Sequence, residues 1–312
     1  MGTEAGRRPI RIGGIGVYWR SSRLDLLGAV VMVALLASAP CVLAQATMPM
    51  DGTIPSFGTP NLPCAEPQPE GSTLVWGEGR VWEGDNWTFA IGARTNIGDD
   101  ADLEITLFNM DTLGEDPVGG AVRDSEATLL GLNYKWVAMR RDDMTLSVIP
   151  GAEFPLGDME GANTATGATA ISDDMIPVLS VPLELLTEDG TIVRVVPRYV
   201  GFDDRPRLGD GTTIAGFGDV IAVGIGVLHE AEEFSVMGDL ALVVDGQNSI
   251  DEVTNLPTDE LVWSAGGSWH GEESSVRVDL FVTNAAGPTG ASSIIATPDQ
   301  SVGVGLRVSG EF

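Results

Sequence analysis

The side chains of this chain that could act on a solute are charges set two residues apart within apolar stretches. Between residues 174 and 202, Glu184, Arg194 and Arg198 interleave with Leu179, Val181, Leu183, Leu185, Val193, Val195, Pro197 and Tyr199. Successive side chains of a strand point to opposite faces, so these charges share one wet face and the apolar residues form a dry one. With Glu188-Asp189-Gly190 as the turn, Glu184 falls directly across from Arg194. Such a pair contributes about 0.2–1 kcal/mol. Its larger effect is on register, because a one-residue slip would turn Arg194 and Arg198 to the dry side. The same alternation puts Glu78, Arg80, Arg94, Asp102, Glu104, Lys135, Glu153, Asp239, Arg277, Asp279, Arg307 and Glu311 on the wet face. Mixed charges at close quarters suit sorting solutes by charge rather than bond making.

Residue types for covalent chemistry are sparse. His229 and His270 each end a strand beside a short turn, and Ser268 lies two residues before His270. Alternation turns Ser268 and His270 inward, and no supporting motif surrounds them. His270-Gly271-Glu272 lacks the cysteine pair that a deaminase site requires. No acidic cluster has the spacing of an EF-hand loop. The expectation is a protein that is not an enzyme and uses no cofactor or metal.

The elements that position the charges are strands throughout. Period-two segments fall at 72–82, 87–96, 101–109, 127–139, 144–154, 174–187, 191–202, 218–229, 234–245, 260–270, 274–284 and 300–312. Short connections at Arg140–Asp143, Glu188–Gly190, Glu230–Glu233 and Gly271–Glu273 alternate with long Gly/Asp/Thr-rich ones at 155–173, 203–217, 246–259 and 285–299. All long loops thus fall at one end of the strands and all these short turns at the other.

Aromatics gather near strand ends: Tyr134, Trp136, Trp269 and Phe312 at the short-turn end, Phe154 and Trp87 at the other. The last segment, Ser301 to Phe312, carries Val302, Val304, Leu306, Val308 and Phe312 on one face and Arg307, Ser309 and Glu311 on the other. This ending resembles the C-terminal signature of the bacterial outer-membrane β-barrel (porin-like) superfamily. More loosely, the run from Thr283 through Pro298 to Phe312 resembles uncharacterised cyanobacterial-type outer-membrane barrels. Short periplasmic turns, longer extracellular loops, an apolar band against lipid, aromatic girdles and a polar interior belong to that architecture. The resemblance implies a Gram-negative-type outer membrane, contact with its lipids and recognition of the last strand by the barrel-assembly machinery. The expected fold is all-β: a transmembrane, antiparallel, up-and-down barrel of about 12 strands over residues 71–312.

Ahead of it, Arg7, Arg8, Arg11, Arg20 and Arg23 precede an uncharged run from Leu26 to Ala44, with small residues before Gln45. Residues 1–44 are expected to be a signal peptide. A 19-residue membrane anchor is the alternative. Residues 45–70, rich in Pro and aperiodic, are expected to be a flexible periplasmic lead-in. The chain has 17 basic and 45 acidic residues; without residues 1–44, which hold five Arg, Glu4 and Asp25, 12 and 43 remain, a net charge of −31. That excludes nucleic acid as a partner. Only Cys64 survives cleavage, so no internal disulfide forms.

Two functions stand open at this point. One is a passive channel for small hydrophilic solutes or ions, lined by Arg80, Arg94, Lys135, Arg194, Arg198, Arg277 and Arg307 facing Glu104, Glu184, Asp239 and Asp279. The inward Ala222, Gly224 and Gly226 favour space inside it. The other is a closed structural or surface-interaction barrel whose acidic loops attract cations.

Overall fold

A computed structural model describes residues 58–82, 86–98, 100–112, 127–156, 175–202, 218–231, 233–250, 257–270, 275–297 and 301–312. The expected signal peptide lies outside the described residues.

The strands follow the alternation closely: β1 (Thr73–Val81), β2 (Asn86–Gly98), β3 (Ala101–Thr112), β4 (Ala127–Arg141), β5 (Met144–Pro155), β6 (Ile176–Ser180), β7 (Leu183–Leu186), β8 (Thr191–Gly201), β9 (Asp219–Glu230), β10 (Phe234–Asp245), β11 (Ser249–Ile250), β12 (Pro257–Thr258), β13 (Val262–His270), β14 (Val276–Thr283) and β15 (Gly303–Glu311). Strands β6 and β7 are two halves of one stave, broken where Val181-Pro182 leaves the ladder. Pro182 has no N–H to give it. Both halves keep one register against β8, with Ser180 opposite Arg198 and Glu184 opposite Arg194. Strands β11 and β12 pair only with each other, in the connection between β10 and β13.

The remaining staves, 12 in all, pair antiparallel with their sequence neighbours, and β1 pairs with β15 to close the ring. Closure satisfies every wall strand on both sides, which a lipid environment requires. The walls are dry outside and polar within. Val236 is 67 % and Leu280 60 % exposed, whereas Asp279, next to Leu280, is fully buried. Such a belt is costly in water and stable in hydrocarbon, so the molecule is a membrane-spanning barrel of outer-membrane type. Tyr134, Trp136 and Trp269 are exposed at the short-turn rim, and Phe234 lies directly across from Trp269 there. Phe154 stands across from Leu130 towards the opposite rim. Phe312 is half-buried, its N–H and C=O exchanging hydrogen bonds of 2.9 Å with Thr73.

The interior departs from expectation in two places. Near the long-loop rim its inward residues are apolar: Trp82, Phe108, Ile176, Val178, Val200 and Val220 form a core with Ile294 and Ile295. They face the connection 284–297, which folds inward between the walls instead of standing off the rim. The second departure is the lead-in. Gly58 to Ala65 lie almost wholly buried inside the barrel rather than free in the periplasm, Glu66 and Pro67 are partly exposed, and the chain is exposed at Pro69 and Glu70. Residues 45–57 lie outside the described residues.

Candidate functional site: a charged interior closed by the chain itself

The two inward segments meet the charged wall, and each contact follows from the alternation that turns the charges in. Six wall cations have a wall carboxylate in reach. Arg80 bonds Glu78 at 2.6 Å, and Arg194 bonds Glu184. Arg94 bonds Glu104, while Lys135 lies 3.9 Å from Asp102. Asp279 bridges Arg277 at 2.8 Å and Arg307 at 2.6 Å. The seventh cation, Arg198, has no carboxylate within 4.0 Å among the described residues. Counting Glu153 and Asp239 with Glu78, Asp102, Glu104, Glu184 and Asp279 gives seven carboxylates against seven cations. Among the described residues the charges buried on the wall are therefore close to balanced, with Glu311 half-buried at the short-turn rim.

Residues 58–70 form a hook whose backbone satisfies this wall. From the short-turn rim inward, Gln68 N–H donates to both Asp102 oxygens at 3.1 and 3.0 Å. Glu66 N–H donates to Glu184 Oε2 at 3.1 Å, and the Glu66 carbonyl accepts from Lys135 Nζ at 2.7 Å. The Ala65 carbonyl accepts from Ser147 Oγ at 2.5 Å. Cys64 Sγ sits 3.1 Å from Lys135 Nζ and 3.3 Å from Arg94 Nη1. Deeper in, Asn61 donates from its backbone and side chain to Asp239 at 3.2 and 3.0 Å, and its carbonyl accepts from Arg198 at 3.1 Å. The chain then doubles back: the Pro60 carbonyl accepts from Arg80 and the Gly58 carbonyl from Arg307, both at 3.1 Å.

Leu62 anchors the hook by shape. It lies over the inward Gly224 and Gly226 of β9, and a Cβ on Gly224 would come within 2.4 Å of its side chain. The small residues of β9 make a seat for the plug, not open space. Gly305 has a similar role on the wall itself, since the Phe281 ring covers it at 2.2 Å from where a Cβ would stand. Arg80 in turn lies 5.4 Å from the centre of that ring.

The second segment packs against the wall at the long-loop end. Glu153 accepts from Thr289 Oγ1 at 2.9 Å and from Ala291 N–H at 2.6 Å. Arg198 Nη2 donates to the Gly290 carbonyl at 2.6 Å and to Ser293 Oγ at 2.7 Å. Asn248, beside β11, donates to the Ile294 carbonyl at 2.8 Å and so ties this segment to its neighbouring connection. A cavity of about 90 Å³ remains between hook, inward connection and wall. It has room for a handful of waters.

Every lumen residue singled out from the sequence stands inside the barrel: Arg80, Arg94, Glu104, Lys135, Glu184, Arg194, Arg198, Asp239, Arg277, Asp279 and Arg307. They do not line an open passage in this state. Sequence reasoning missed Asn61, Leu62, Gln68 and the inward connection, which carry no period of their own. His270 is buried at the short-turn rim and Ser268 Oγ accepts from Arg277 at 2.6 Å, while His229 Nδ1 lies 2.9 Å from Thr191 Oγ1. Most of the acidic loop residues lie outside the described residues.

No protein-family model and no curated protein matches the sequence. Solved structures do match. The outer-membrane channel COG4313 of Pseudomonas putida F1 superposes with a TM-score of 0.53 at 11 % identity, over 85 % of this chain and all of that one. OmpF of Salmonella typhi, solved in complex with daunomycin, gives a TM-score of 0.38 at 7 % identity over 77 % of this chain and 96 % of its own. LpxR of Salmonella typhimurium gives 0.41 at 10 % identity, over 76 % and 99 %. The first of these likenesses fixes the fold as that of an outer-membrane β-barrel.

Proposed function

We propose that this protein is a passive outer-membrane channel for small hydrophilic solutes, held shut at rest by residues 58–70. The observation that carries the proposal is the way the plug is held. The hook has no regular structure and joins the wall covalently only where it runs into β1; otherwise its grip is a row of hydrogen bonds to wall charges that water can replace. A net hydrogen bond to a charged group is worth about 1.5–3 kcal/mol, so the row is firm collectively and each contact is exchangeable. Once the hook moves, paired charges of both signs face a water-filled passage, which is the surface a small polar solute crosses. An N-terminal signal peptide and delivery of β15 to the barrel-assembly machinery fit the route such a channel takes.

A second reading has its own support. The nearly balanced wall charges and the apolar core under residues 284–297 would equally serve a permanently closed scaffold or surface-interaction barrel. Swelling of proteoliposomes in small sugars or amino acids separates the two. Wild type should swell slowly and the Asn61→Ala/Leu62→Ala variant fast. A variant folded by heat-modifiable mobility that swells no faster than empty liposomes would leave the scaffold standing.

A further inference from the structure

The wall grips three residues of the hook by both polar groups of their backbone. Asn61 donates its N–H to Asp239 at 3.2 Å, and its carbonyl accepts from Arg198 Nη1 at 3.1 Å. Glu66 donates to Glu184 at 3.1 Å and accepts from Lys135 Nζ at 2.7 Å. Gln68 donates to Asp102 at 3.0 Å and accepts from Asn96 Nδ2 at 3.0 Å. At each position the wall sets a carboxylate beside a donor, the pair that matches one residue's N–H and C=O. Glu66 and Gln68 are two apart, the spacing at which an extended chain turns these groups the same way, and Pro67 between them has no N–H to place. None of these bonds depends on side-chain type, because every residue except proline offers the same N–H and C=O.

That arrangement selects a class of ligand. A sugar hydroxyl both donates and accepts, so it needs no alternation of carboxylate with donor; an amide chain does, since its donors and acceptors are fixed in place. A simple ion would be attracted by one member of the Glu184–Lys135 clamp and repelled by the other. Asp102 and Lys135 also border the cavity beside the hook, so the space at these groups is not filled by the hook alone. We propose that the hook occupies a peptide-binding surface, and that the solutes of this channel are short peptides that take the hook's place on the wall. Transport of peptides rests on the channel reading; their binding does not. A tether of this kind holds the hook at an effective concentration on the order of millimolar, so a free peptide displaces it at concentrations of that order. Weak binding suits a conducting surface, which must also release what it holds.

Calorimetric titration in detergent tests the surface, with acetyl-trialanine-amide as the probe. It compares the wild-type protein with full-length Asn61→Ala/Leu62→Ala, which loosens the hook and leaves every wall residue in place. The probe should bind this variant about tenfold or more tighter than wild type, because the competitor is weakened. The triserine counterpart should bind comparably, while trialanine methylated at every amide nitrogen should bind about tenfold or more weaker, having lost the N–H groups that the carboxylates accept. Asp102→Asn, added to the loosened variant and checked for folding by heat-modifiable mobility, should also weaken the probe. Equal binding of plain and methylated peptide, equal binding to wild type and loosened variant, no effect of Asp102→Asn, or no binding to the loosened variant would each overturn the surface. Bilayer currents keep the two claims apart. A loosened variant that binds the peptide without conducting refutes the channel and keeps the surface, and one that conducts without binding the peptide does the reverse.

Discussion

At the scale of single residues, what decides this interior is whether a buried charge has its partner. Glu184 and Arg194 are opposite each other, bonded and buried. Removing one member leaves the other uncompensated, which typically costs about 3–5 kcal/mol. Glu184→Ala should therefore lower the urea midpoint of the detergent-solubilised barrel by that order. Glu188→Ala, at the exposed turn, should change it by no more than about 0.5 kcal/mol. Equal midpoints for the two would mean the pair is not buried as described. This pair was legible in the sequence because period and turn together fix both face and register. Leu62 was not. The inward Gly224 and Gly226 were visible as a gap in side-chain volume, but nothing in an aperiodic Pro-rich segment says that one of its leucines fills that gap. Enlarging the seat residue tests the fit: Gly224→Val should expel the hook and raise conductance, and adding Leu62→Ala should reverse part of that gain. Conductance unchanged in Gly224→Val would show that Leu62 is not seated there.

At the scale of elements, staves and inserts obey different rules. The staves follow alternation, and their bounds differ from expectation mainly where Pro182 splits β6 from β7 and where Ser249–Ile250 and Pro257–Thr258 pair in two rungs. The hook and the connection 284–297 have no period and are placed by hydrogen bonds and packing, so their position depends on contacts far apart in sequence. Their independence makes Cys64 a reporter. It is buried among Lys135 and Arg94 inside the hook, and apart from Cys41 it is the chain's only thiol. Maleimide labelling in native membranes should be slow in wild type and markedly faster in Gly224→Val. Equal rates would place the hook elsewhere. The short turns are simpler. In the turn from Thr187 to Thr191, hydrogen bonds from Thr187 Oγ1 and from Thr191 hold the Asp189 carboxyl below the usual aspartate range. A depressed folded pKa means the turn's added stability is present above the ordinary aspartate range and is lost as pH falls through the lowered value. Exchange protection of the Thr191 amide should follow that acid limb, and Asp189→Asn should abolish the pH dependence.

At the scale of the whole molecule, the described wall sets seven cations against seven buried or nearly buried carboxylates. A wall whose charges of both signs nearly balance lets the hook seat and leave without stranding charge of one sign. The fold and the wet face followed from period and length alternation in the sequence, while the closed state did not, because it is made by segments that lack a period. The central claim is that closure is the work of residues 58–70 and is reversible. Single-channel recording in planar bilayers tests it most directly, comparing the full-length protein with a variant lacking residues 58–66, both checked for folding by heat-modifiable mobility. The full-length barrel should be silent for most of the record with brief openings, and the shortened one should carry a steady current. A shortened barrel that is folded and as silent as the full-length protein would contradict the claim.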